Sequence, residues 1–148
     1  MNTITNILNP DLAKAVAELG HFDTLVVADC GLPLPSIGPK VIDLSVKRGM
    51  PTFGDVLQLI AGELAVTEMI VANEIKGNSV ALDEVEKAAK IIGELARKRD
   101  DKKADPKILY KTHDELKALT HKPECKYIVR TGDKTPYANV ILVADVAF

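Results

Sequence analysis

The chain is short of the features that mark several functional classes. It has no tryptophan and only two cysteines, Cys30 and Cys125, which stand too far apart for a metal-binding spacing. Its 19 Lys and Arg residues face 21 Asp and Glu residues, and the net charge of −2 favours neither nucleic acid nor an anionic membrane as a partner. No run approaches the roughly 20 apolar residues that span a bilayer. We therefore expect none of these partners.

Several functional motifs are missing as well. The first residues, MNTITNILNPDL, lack a basic region followed by an apolar stretch, so no secretory signal is predicted and the expected compartment is the cytoplasm. Neither GxGxxG nor GxxxxGK[ST] is present to hold a nucleotide cofactor, and none of the three serines stands in a GxSxG turn. HExxH and CxxC are absent too, so no metal site is expected. The functions that these absences leave are proton transfer without a cofactor and binding without catalysis.

The most informative segment is 19–33, with the sequence LGHFDTLVVADCGLP. Its apolar run is short, β-branched and bounded by breakers, which predicts a strand at 24–28 that is buried on both faces. Asp29 follows this strand, and ligands of open α/β sheets bind beyond the carboxyl ends of strands. His21 precedes the strand and is of the residue type that titrates near neutral pH. We expect both residues near one sheet edge, where they would support proton-transfer chemistry.

The rest of the chain predicts alternating helices and strands. Helices are expected from Pro10 to a stop at Gly20 and over 52–64, 83–99 and 114–119, with strands over 24–28, 41–46, 68–75, 107–111, 127–130 and 139–144. The segment 31–39 is rich in proline and glycine and predicts a stiff loop beside the expected site. This order indicates one α/β layered domain over 1–148, with a mostly parallel mixed sheet, an antiparallel edge and flanking helices.

Four segments, taken in order, resemble the ribose/fucose mutarotase family (RbsD/FucU). They are LGHFDTLVVADCGLPLP, DLSVKRGMPTF, Thr112-His113 after a strand, and RTGDKTPYANVILVADVAF. The Cys-Gly-Leu-Pro that follows Asp29 resembles the ribose-type branch, since fucose-type relatives carry a stretch like His-Phe-Pro there. The chain departs from the family's pattern over 78–107 and at 133–135, which are surface-like positions that bear on sugar preference more than on chemistry.

The resemblance implies an enzyme, a cofactor-independent isomerase. Such proteins interconvert the pyranose and furanose forms, and the anomers, of D-ribose. They form ring-shaped homo-oligomers, typically decamers of two stacked pentamers, with sites between neighbouring subunits. Position by position, His21 matches the family's proton donor, and Asp29 and His113 match substrate-binding residues. Tyr137, Ala138 and Asn139 match a C-terminal substrate-binding tripeptide that we expect to reach a neighbouring subunit's site.

Ring opening explains why these residue types suit the reaction. A proton must reach the ring oxygen while another leaves the anomeric hydroxyl, and a positioned acid or base contributes roughly 100- to 10,000-fold. Histidine has an ordinary pKa of about 6.5, so both of its forms are accessible at neutral pH. A neutral sugar needs hydrogen bonds more than charge. Asp29 can accept from a sugar hydroxyl or orient an imidazole, and Tyr137 and Asn139 offer further donors and acceptors.

Each candidate also has a purely structural interpretation. His21 is placed to cap a helix C-terminus, Asp29 to form an Asx turn, and His113 to begin a helix. Tyr137 and Asn139 are candidates for ordinary turn residues, and Cys30 for a small buried filler. Three other functions stay open beside the ribose mutarotase: a fucose-type mutarotase, a non-catalytic sugar-binding accessory protein, and a structural ring protein without sugar affinity.

Overall fold

The computed structural model describes residues 5–148, and in that part of the chain four α-helices flank a six-stranded sheet. The strands are β1 (Thr24–Ala28), β2 (Lys40–Asp43), β3 (Val66–Ala72), β4 (Lys107–Lys111), β5 (Cys125–Arg130) and β6 (Val140–Ala144). The helices are α1 (Pro10–Glu18), α2 (Phe53–Ala61), α3 (Ser79–Arg99) and α4 (His113–Leu119), and a 3₁₀ turn spans Asn73–Gly77. None of these helices is both long and apolar enough to cross a membrane.

The sheet has the order β2-β5-β1-β6-β3-β4. The pairs β2–β5, β5–β1 and β3–β4 are parallel, while β6 runs antiparallel to both β1 and β3. The predicted α/β class and mostly parallel mixed sheet are confirmed. The predicted position of the antiparallel strand at an edge is wrong. All five residues of β6 are buried, and a strand that is apolar on both faces is stable only in the interior, between two neighbours.

Local capping explains where the helices begin. Asn9 Oδ1 accepts from Leu12 N at 2.9 Å, and the helix begins with Pro10 at its first position, where the sequence predicts its start. Thr52 forms a capping box at the start of α2. Thr112 Oγ1 accepts from Glu115 N at 3.1 Å, so His113 becomes the first residue of α4. The helix predicted from residue 83 begins earlier, at Ser79, because Asn78 provides a cap there.

Strand β1 is buried on both faces, as predicted. Leu25 and Val27 point into the larger apolar cluster, which also includes residues of α1, α2 and α3. Val26 and Ala28 point into a smaller cluster on the other face, where Leu116 of α4 packs. Since β1 has a neighbour on each side and packing on each face, its two ends are fixed in space. The residues that flank β1 are therefore attached to a strand that is supported on both sides and on both faces.

Candidate functional site

Asp29 lies at the carboxyl end of β1 and is paired with Asn139. The Asp29 carboxylate accepts from Asn139 Nδ2 at 2.8 Å, and Asp29 N donates to Asn139 Oδ1 at 2.9 Å. The other carboxylate oxygen accepts from Gly31 N at 2.8 Å, which is the predicted Asx turn. Asn139 is 1% exposed and Asp29 is 9% exposed. The direction of the Asp29 carboxylate is therefore set by neighbours on both sides.

A cavity of about 310 Å³ opens beside Asp29. Its lining consists of Asp29, Cys30, Gly31, Leu32, Pro33, His113, Lys134, Pro136 and Tyr137. The rings of His113 and Tyr137 meet edge to face, with centroids 5.1 Å apart. His113 Nδ1 is buried without a hydrogen-bond partner in the described part of the chain. The cavity thus combines a carboxylate, an imidazole and a phenol with small apolar groups.

The cavity forms where three chain segments meet at the carboxyl edge of the sheet. Thr131 Oγ1 donates to Ala28 O at 2.8 Å, and Cys30 N donates to Asp133 O at 2.8 Å. These bonds hold the loop before β6 over the end of β1. Tyr137 has a φ of 65°, a conformation that bulky residues rarely adopt, and it presents its ring to His113. Asp29 lies at the carboxyl end of β1, as the sequence predicts, and it lines the cavity there.

Asp133 secures the same loop to a helix. Its Oδ2 accepts from Phe53 N, in the first turn of α2, at 2.8 Å, and its Oδ1 accepts from Thr135 N at 2.8 Å. Burial acts to raise the pKa of Asp133, but the N–H groups of Phe53 and Thr135 stabilise the carboxylate and the net pKa lies below its ordinary value. The loop that carries Tyr137 and Asn139 is therefore anchored by an ionised side chain.

His21 lies away from this cavity, before β1, in a turn that the Asp23 N–H closes onto Gly20 O at 3.1 Å. The imidazole stacks on Phe22 at 3.8 Å between centroids, and its side chain is 44% exposed. Its Nε2 is 3.6 Å from Asp145 Oδ1. His21 is not buried in the apolar core and does not cap a helix. Its imidazole is therefore accessible to an incoming molecule.

The expectation that His21 and Asp29 share one sheet edge is wrong. Strand β1 runs between them, and at about 3.3 Å per residue its length alone separates the two by roughly 17 Å. Asp29, His113 and Tyr137 meet around the cavity, whereas His21 is absent from the residues that line it. One copy of the chain, over the residues described, therefore holds two separate groups of candidate residues at opposite edges of the sheet.

The remaining predicted residues have mainly structural surroundings. Ala138 is buried, and its N–H donates to Thr135 O at 3.3 Å. The side-chain amide of Asn139 is engaged with Asp29 at both ends. Sequence reasoning missed Lys134 and Pro136 as lining residues, although 133–135 had been noted as a departure from the family's pattern. Among residues 5–148, no group of three or more His, Cys, Asp or Glu side chains is arranged to hold a metal ion.

Comparison with known proteins gives one consistent group. The family model described as the RbsD / FucU transport protein family matches residues 2–147. D-ribose pyranase of Bacillus cereus (strain B4264) is 42% identical over 142 residues, 96% of each chain. The corresponding protein of Bacillus thuringiensis (strain Al Hakam) is 43% identical over 142 residues, again 96% of each chain. The structure of Bacillus subtilis RbsD complexed with D-ribose has a TM-score of 0.84 at 41% identity and covers 100% of both chains.

Proposed function

Because this chain belongs to the RbsD / FucU transport protein family, we propose that it is a cofactor-independent isomerase of the D-ribose pyranase type. It interconverts the pyranose and furanose forms of D-ribose, and their anomers, with residues 1–148 acting as one domain. The observation that carries this proposal is the cavity at Asp29. Its volume of about 310 Å³ is at the small end of the roughly 300–1,000 Å³ of small-molecule sites, which suits a single pentose.

The cavity offers the hydrogen-bonding groups that an uncharged sugar needs. Asp29 is an acceptor whose direction is fixed by Asn139 and Gly31. His113 and Tyr137 add a ring nitrogen and a phenolic hydroxyl. Apolar contacts from Leu32 and the prolines that line the cavity suit the C–H faces of the sugar. We infer that Asp29, His113 and Tyr137 bind ribose, and that Asn139 and Ala138 contribute by shaping the loop.

We further propose that His21 is the general acid and that a neighbouring copy of the chain supplies it. A separation of roughly 17 Å along β1 prevents His21 from reaching a sugar bound at Asp29 of its own chain. The His21 turn and the cavity at Asp29 are both accessible to a neighbouring chain. Phe22, which stacks on His21, is 62% exposed, and Tyr137 of the cavity is 37% exposed. Tyr137 lines the cavity of its own chain, so the 19–23 turn is the part that the neighbour contributes.

This arrangement supports a homo-oligomer, for which the resemblance implies a decamer of two stacked pentamers in the cytoplasm. A closed ring gives each cavity one neighbour and each His21 turn one acceptor cavity, because heterologous contacts that close form rings. The role that the resemblance implies is supply of ribofuranose to a kinase after import of the pyranose. The free sugar, rather than a stable protein partner, is then the ligand.

Saturation-transfer NMR on D-ribose tests the proposed function. We expect the protein to accelerate exchange between pyranose and furanose signals and to have little effect on L-fucose. Acceleration with L-fucose alone would show a fucose-type mutarotase. Saturable ribose binding without acceleration, unchanged in His21→Ala, would show a binding protein. An absence of ribose affinity in the assembled ring would indicate a structural role.

A further inference from the structure

Asp145, just after β6, lies beside His21 and is firmly held. Its backbone N–H donates to Ala65 O at 2.9 Å. One carboxylate oxygen, Oδ1, accepts from Val146 N at 2.8 Å and is 3.6 Å from His21 Nε2. The other oxygen accepts from Lys103 Nζ at 3.3 Å. The carboxylate therefore has few alternative orientations and faces the imidazole with Oδ1.

The turn that carries His21 is hydrogen-bonded to the last residue of β6, next to Asp145. Phe22 N donates to Ala144 O at 3.0 Å, and Ala144 N donates to Asp23 O at 2.9 Å. These two bonds join the residues that follow His21 to the residue that precedes Asp145. Stacking on Phe22 restricts the ring further. The closeness of His21 and Asp145 is thus built into the backbone, in contrast to a chance contact between two flexible surface side chains.

We propose that Asp145 is a positioning residue for His21 and that it determines which ring nitrogen exchanges its proton with the sugar. This inference rests on the proposed function. A carboxylate beside Nε2 stabilises a hydrogen there in both charge states of the ring. Nδ1 is then the nitrogen at which a proton is gained and lost, and it has no hydrogen-bond partner in residues 5–148 of its own chain. Asp145 does not touch the sugar.

The proton balance of ring opening follows from this assignment. The imidazolium of His21 donates its Nδ1 proton to the ring oxygen as the bond between that oxygen and the anomeric carbon breaks. The anomeric hydroxyl gives its proton to water, and the carbonyl of the open chain forms. His21 is left neutral with its hydrogen on Nε2. Closure through a different hydroxyl reverses each transfer and restores the imidazolium, so no oxidant, reductant or cofactor is consumed.

Steady-state exchange kinetics provide the first test. In Asp145→Ala we expect kcat to fall by about 10- to 100-fold while KM for ribose changes little. This loss is a fraction of the roughly 100- to 10,000-fold rate acceleration that a positioned acid contributes. Asp145→Glu should recover part of the loss. Asp105→Ala is the matched control, since Asp105 pairs with Arg97 at 2.8 Å and does not contact His21. An unchanged kcat in Asp145→Ala, or a change in KM alone, overturns the inference.

The second test reads the imidazole directly and needs no activity. Magic-angle-spinning NMR of ¹⁵N-histidine protein distinguishes the two neutral tautomers, with His113 and His121 as internal references and His21→Asn for assignment. We expect His21 to carry its hydrogen on Nε2 and Asp145→Ala to shift that population. A wild-type His21 protonated on Nδ1, or no response to Asp145→Ala, overturns the inference. A responsive tautomer without ribose exchange would support the contact and overturn the proposed function instead.

Discussion

Asp29 and Asn139 are 110 residues apart in the chain and exchange two hydrogen bonds, of 2.8 and 2.9 Å. The amide of Asn139 donates to the carboxylate and accepts from the backbone N–H of the same residue. Together with the hydrogen bond from Gly31 N to the other carboxylate oxygen, these contacts fix the orientation of the Asp29 carboxylate beside the cavity. The pair therefore connects the end of β1 to the start of β6 and fixes the carboxylate that lines the cavity.

Replacing Asn139 by Ala should weaken both folding and sugar binding. The change removes the side-chain donor to the Asp29 carboxylate and leaves the backbone N–H of Asp29 without a partner. A buried unpaired group of this kind lowers the free energy of unfolding by about 1–3 kcal/mol. Ribose affinity should fall because the carboxylate is no longer oriented. Urea unfolding and calorimetric titration measure the two effects, with Asn73→Ala, at an exposed position, as control. Stability and affinity both equal to wild type would contradict the pairing.

Substitution of His21 should lower kcat, whereas substitution of a cavity residue should weaken ribose binding. In His21→Asn we expect kcat to fall by roughly 100- to 10,000-fold with ribose affinity retained, since the role proposed for His21 is proton transfer and the residue lies outside the cavity. Tyr137→Phe should instead raise the ribose Kd several-fold through one lost hydrogen bond, worth about 1 kcal/mol. Exchange NMR and calorimetry distinguish the two. His121→Asn, which changes an exposed imidazole, should resemble wild type.

Local sequence predicted single elements well but long-range placement poorly. Strand β1 was predicted with the bounds that the structure shows, because a β-branched apolar run between breakers has few alternatives. The run Val140–Ala144 indicated burial on both faces, yet nothing local to it specifies β1 and β3 as neighbours. The connection from β5 passes over β1, and that path depends on contacts such as Asp133 with Phe53, far apart in sequence.

The site was predictable in part for the same reason. The rule about carboxyl ends of strands placed Asp29 correctly, whereas His21 was misplaced because the intervening strand carries it to the opposite edge. The positive φ of Tyr137 and its edge-to-face contact with His113 had no local signal, since Tyr is unusual in that conformation. The sequence indicated Asn139 only through the family resemblance, as a substrate-binding residue, and its two hydrogen bonds to Asp29 become visible only in the structure.

Acid should weaken the anchoring of the cavity loop through Asp133. Its folded-state pKa lies below the ordinary value because the N–H groups of Phe53 and Thr135 outweigh the opposing effect of burial. The carboxylate therefore contributes stability that is fully present above its unfolded pKa, near 3.9. That contribution is lost as pH falls through the lower folded pKa. Urea midpoints at pH 7 and pH 3 should differ less in Asp133→Asn than in wild type; equal differences would contradict this.

The proposed composite site between two copies of the chain predicts that mixing inactive variants restores activity. His21→Ala retains an intact cavity and Asp29→Asn retains an intact general acid, so each variant alone should have little activity. In mixed rings, some sites combine a wild-type Asp29 with a wild-type His21 from the neighbour. We expect unfolding and refolding of the two variants together to restore a measurable fraction of ribose exchange, while mixing without unfolding restores less. Mass spectrometry with one variant isotopically labelled verifies that hybrid rings formed. Hybrid rings without recovered activity would place His21 and Asp29 in independent roles and remove the argument for a composite site.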